Sequence, residues 1–77
     1  MKMLLFTEGP ITLKEMKERI ESSTEYKAKI INKANTIYGE KDCIEVEIKN
    51  YEELFDVTQC FNKEEKTYQI GIAKYKE

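Results

Sequence analysis

Residues 43–49, CIEVEIK, alternate strictly between apolar and charged side chains after the opening cysteine. A period of two puts Ile44, Val46 and Ile48 on one side of an extended chain and Glu45, Glu47 and Lys49 on the other. The segment is therefore expected to be a β-strand with one covered face and one face left to water or a partner. In a chain of 77 residues, that strand has to find its neighbours and its covering layer within one domain. This is close to the size at which a single hydrophobic core becomes self-sufficient. An apolar share of 40% beside 36% charged residues suits a folded domain, because the apolar residues fall in periodic segments.

Met3-Leu4-Leu5-Phe6 is an unbroken apolar run, which predicts a short strand covered on both faces near the middle of the sheet. Gly9-Pro10 is a turn signal, and Thr12-Leu13-Lys14-Glu15 has the T-x-x-E form of a capping box. A helix starts there, with Leu13, Met16 and Ile20 on its buried face. Ser22-Ser23-Thr24-Glu25 repeats the capping pattern, and Tyr26, Ile30, Ile31, Ala34, Ile37 and Tyr38 follow at helical spacing up to Gly39. Together they predict a second helix over residues 24–38 with Gly39 as its terminator. The competing reading is a strand, from the alternation of Tyr26, Ala28 and Ile30 against Lys27 and Lys29, which stops at Ile31. Asn50 is an N-cap candidate for a further helix ending near Asn62, with Tyr51, Leu54, Phe55, Thr58 and Phe61 as its expected buried stripe. Residues 63–66 read as a loop, and residues 68–74 as a last strand with Tyr68, Ile70 and Ile72 inward.

The expected fold is α+β, a small three-stranded sheet with helices on one face in the order β-α-α-β-α-β. If the stretch around Ala28 is a strand, the order becomes the β-α-β-β-α-β of a ferredoxin-like sandwich. Both orders leave the face opposite the helices open. No repeat, low-complexity stretch or linker divides the chain, so residues 1–77 are expected to form a single domain.

Little in the sequence supports catalysis. Histidine is absent, the only serines are Ser22 and Ser23, and Gly9, Gly39 and Gly71 stand apart instead of forming a phosphate loop. No enzyme activity, cofactor or metal site is expected. Cys43 and Cys60 have no C-x-x-C spacing and read as free thiols of a reducing compartment. The apolar run near Met1 is too short for a signal-peptide core or a membrane span, so the expectation is a soluble, cytoplasmic protein.

Charge is distributed unevenly. Residues 1–38 carry seven cations against five acids, whereas residues 39–77 carry six lysines against ten acids. Between Glu40 and Asp56 there are seven acids and two lysines. Glu40, Asp42, Glu45, Glu47, Glu52, Glu53 and Asp56, with Tyr51 as an aromatic anchor, are therefore the candidate partner-binding residues, directed at a basic surface of a larger protein. In size and charge the chain resembles small acidic inhibitors of nucleic-acid-handling enzymes, including phage-encoded anti-CRISPR proteins. That resemblance implies an inhibitor or adaptor acting by occlusion. A second resemblance runs through LLFTEGPITLKEMKERI and STEYKAKIINKANTIYG, which are similar to the second and third helices of a winged helix-turn-helix domain. It implies a nucleic-acid-binding helix over residues 24–38 that presents Lys27, Lys29 and Lys33 to phosphates. The exposed strand edges leave both a monomer and a homodimer open.

Overall fold

The described residues of the computed structural model, 1–61 and 70–76, form four strands and two helices. In chain order these are β1 (Lys2–Thr7), α1 (Leu13–Ser23), β2 (Ala28–Thr36), β3 (Gly39–Glu47), α2 (Tyr51–Thr58) and β4 (Ile70–Ala73). A 3-10 turn, Gln59–Phe61, continues α2. The strands make one antiparallel sheet in the order β2-β3-β1-β4. The element order is thus β-α-β-β-α-β, the connectivity of the ferredoxin-like alternative. The three-stranded sheet and the β-α-α-β-α-β order are corrected, because the stretch expected to be a second helix is an edge strand. The loop at residues 63–66, the helix end near Asn62 and the inward Tyr68 lie outside the described residues.

β1 runs between β3 and β4, and its apolar run is covered on both sides: Met3, Leu4 and Leu5 are 5%, 0% and 0% exposed. Met3 and Leu5 face the helices, together with Ile44 and Val46 of β3, Met16 and Ile20 of α1, and Val57 of α2. The N-caps of α1 and α2 fall at Thr12 and Asn50, where the sequence places them. Thr12 Oγ1 accepts the Glu15 amide at 3.2 Å and donates to the Glu15 carboxylate at 3.1 Å, while Asn50 Oδ1 accepts the Glu53 amide at 3.2 Å.

Thr24 closes α1 and does not open another helix. Its Oγ1 donates to the Ile20 carbonyl at 2.6 Å and accepts the Tyr26 amide at 3.1 Å. β2 then pairs with β3 from Ala28 opposite Val46 to Ile31 opposite Cys43, breaks, and resumes with Ala34 opposite Lys41. In the break Asn32 and Lys33 face Asp42 alone, which is a β-bulge. Lys33 has φ 54 there, and its amide donates to Asp42 Oδ1 at 2.8 Å. The inserted residue reverses the parity of the strand. Ala28 and Ile30, opposite Val46 and Ile44, lie on the helix side, but Ala34 belongs to the core of the other side. Gly39 ends a hairpin turn, where its φ of 98 after two residues of negative φ matches a type I turn closed by a glycine bulge.

The bulge turns the hairpin tip over the helix-free face until it meets the chain that follows β4. The Ile37 amide donates to the Lys74 carbonyl at 3.1 Å, the Lys76 amide donates to the Asn35 carbonyl at 2.9 Å, and Thr36 pairs with Tyr75. Inside this closure lies a second core of Leu4, Ala34, Cys43 and Ala73, with Phe6, Ile31 and Tyr75 against it. The Phe6 ring lies across its cross-strand partner Gly71, where a Cβ would come within 2.1 Å of the ring. Gly71 is needed for that close approach. The sheet face expected to be open is therefore filled by the protein's own hairpin. Both cysteines are thiols outside any disulfide: Cys43 is buried in this second core and Cys60 is half-buried on the helix side.

Candidate functional site

Three chain segments meet on the helix side and line a cleft of 790 Å³. They are the α1–β2 connection at residues 23–26, the end of β3 at residues 47–49, and one face of α2 and its 3-10 extension. Local hydrogen bonds hold each in place. The Thr24 cap turns the chain out of α1, the Ile48 amide donates to the Met1 carbonyl at 2.8 Å, and Glu53 Oε2 accepts the Lys49 amide at 2.8 Å. Glu25, Glu47, Glu53 and Asp56 line the cleft, against Lys49 and the amino group of Met1, which lies 3.4 Å from Glu47 Oε1. Partial burial, and then the charges of Glu53 and Asp56, push the Tyr26 phenol above its ordinary range.

α2 extends this acidic wall outward. Leu54 and Phe61 of the expected stripe do pack on the core, with Val57 between them, but Tyr51 and Phe55 are corrected: those rings are 73% and 69% exposed. All of these positions fit helical spacing, but the side that meets the core with Met16 and Ile20 is the one carrying Leu54, Val57 and Phe61. On the outward side Tyr51 and Phe55 stand one turn apart, with Glu52 and Asp56 exposed beside them.

The candidate acids divide into two groups. Glu47, Glu53 and Asp56 meet at the cleft, and Glu52 and Tyr51 lie on the adjoining face of α2. Glu45, Asp42 and Glu40 lie elsewhere. Glu45, with 17% of its side chain exposed, accepts the Tyr75 hydroxyl and pairs with Lys2 Nζ at 3.6 Å. That hydrogen bond, followed by burial, pushes the Tyr75 phenol up to about 12. Asp42 serves the bulge, and Glu40 is exposed on the hairpin tip opposite Asn35. Tyr75 and Glu45 thus satisfy one another instead of offering a surface.

Lys27 precedes β2, and Lys29 and Lys33 stand along it, all exposed. No recognition helix carries them, so the helical premise of the winged-helix resemblance is corrected: residues 24–38 are a cap, an edge strand and a turn. Sequence reasoning missed Glu25, Tyr26, Lys49 and Phe55 as cleft and surface residues. The available signal for Phe55 was Val57, which completes a stripe with Leu54 and Phe61 at helical spacing and leaves Phe55 outside it.

Among the described residues, no group of three or more histidine, cysteine or acidic side chains could hold a metal ion. No helix among them is long and apolar enough to cross a membrane. No protein-family model matches the chain, and neither does any curated protein or solved structure.

Proposed function

We propose that the chain is a non-enzymatic interaction domain, an inhibitor or adaptor that covers a basic surface of a larger cytoplasmic protein. The observation that carries this reading is the gathering of Glu25, Glu47, Glu52, Glu53 and Asp56 from three separate elements around one cleft and the adjoining face of α2. Such a field steers a positively charged partner into register and repels the phosphate backbone of a nucleic acid. The small size and overall acidity fit occlusion of the kind the small acidic inhibitors practise, with a nucleic-acid-handling protein as the class of target.

A tagged pull-down from lysate of the native host, with and without nuclease, tests it. The expected result is a stoichiometric basic protein that survives nuclease and that Glu47→Lys with Asp56→Lys binds at least tenfold more weakly, as desolvated charge pairs do. Undiminished affinity of that double variant would remove the cleft from consideration. Recovery of nucleic acid that depends on Lys27, Lys29 and Lys33 would replace the reading with a nucleic-acid one.

A further inference from the structure

We infer that α2 is itself the inserted element, and that the partner receives its outward face in an apolar groove with a basic rim. This rests on the preceding reading and specifies which part of the partner is covered. Tyr51 and Phe55, at 73% and 69% exposed, are the most exposed large apolar side chains among the described residues. Among the described residues neither ring belongs to a core cluster, and α2 attaches through Leu54, Val57 and Phe61. Four-residue spacing puts the two rings on one line along the helix, as anchors for a groove require. Aromatic anchors have few rotors to immobilise, and α2 is already capped by Asn50, so little ordering cost remains on binding.

Charge selects the occupant. Glu52 and Asp56 share the four-residue spacing and line the side of the rings nearer the cleft, with Glu53 and Glu47 behind them there. An apolar line edged by carboxylates matches a groove edged by lysine and arginine. It is mismatched to a nucleic acid or to an anionic membrane, both of which present negative charge.

The experiment places a photoreactive benzophenone amino acid at position 55, and separately at position 37 on the hairpin tip, in the full chain expressed in its native host. Irradiation should give one adduct from position 55 and none from position 37, with a crosslinked peptide that is apolar and flanked by lysine or arginine. Against that purified protein, Tyr51→Ala with Phe55→Ala should bind at least tenfold more weakly, the ordinary effect of losing central aromatic anchors. Thermal unfolding at the wild-type temperature would establish that this variant is folded, and Phe55→Lys alone should reproduce the loss. If the aromatic variant binds within about twofold of wild type while Glu47→Lys with Asp56→Lys loses tenfold, α2 insertion is overturned and the basic-surface reading survives. If neither variant weakens binding, both fall. An adduct at twice the chain mass, an adduct removed by nuclease, or no adduct from position 55 would each overturn the inference.

Discussion

Tyr75 and Glu45 show how little a charge pattern reveals about the use of a charge. Alternation correctly turned Glu45 away from Ile44 and Val46, but that side of the sheet is covered by a hairpin and by a tyrosine 30 residues away in the chain. Only the folded closure brings them together, so the carboxylate that looked free is engaged. The bond has a measurable consequence at alkaline pH. The phenol's ordinary value of 10.0 rises to about 12 in the fold, so between these values the folded protein keeps a proton that the unfolded chain releases. Stability from this bond is complete below the unfolded value and is lost as pH rises through the folded one. At about pH 8, wild type should exceed Tyr75→Phe by about 1 kcal/mol in urea unfolding. The gap should shrink as pH rises through the upper value, whereas a constant gap would mean that the hydroxyl contributes nothing through Glu45.

At the scale of elements, the strand least legible in the sequence was β2, and the bulge is the reason. Had β2 been regular, its alternation would have continued past Ile31 and declared a strand. Insertion of one residue moved Ala34 and Thr36 onto the opposite face, leaving apolar residues spaced three and four apart, as in a helix. Strand β3 and the α1 cap were legible because each depends on neighbours in sequence. The burial of α2 was legible only in part, through Leu54 and Phe61, because Val57 competed with Tyr51 and Phe55 for the rest of the stripe and the decision lay with residues of α1. The bulge also carries strain that can be tested. Lys33, at φ 54, occupies a left-handed conformation that costs an L side chain about 1–2 kcal/mol, part of which glycine would recover despite its larger unfolded-state entropy. Lys33→Gly should therefore stabilise the protein by about 0.5 kcal/mol. Asp42→Ala removes the acceptor of the Lys33 amide and should destabilise it by about 1 kcal/mol, less than a buried loss because water reaches the site. Chemical denaturation of both variants checks the pair, and a loss from Lys33→Gly would contradict the strain argument.

For the whole molecule, the question is whether a sheet with two edges remains alone. An antiparallel sheet invites another copy wherever backbone groups of an edge strand stay unpaired. Here β2 is guarded at both ends: Glu21 Oε2 accepts the Ala28 amide at 3.3 Å, and the chain after β4 bonds to Asn35 and Ile37. Among the described residues, β4 runs Ile70–Ala73 and then turns into that closure. The protein should therefore scatter light as a 9.1 kDa monomer over a wide concentration range near neutral pH. Lys76→Pro keeps an extended backbone but deletes the amide that donates to Asn35, which should release the closure and expose the β2 edge. Its mass should then rise with concentration. Acid should loosen the other guard. The bond to Lys17, and then the Ala28 amide, hold the Glu21 carboxyl below its ordinary value of 4.5. Its contribution is present above that value and is lost only as pH falls through the depressed one. A wild-type mass of twice 9.1 kDa at neutral pH would mean that these guards do not prevent edge pairing. A Lys76→Pro variant that stays monomeric would show instead that the twist of the bulged strand suffices without the closure.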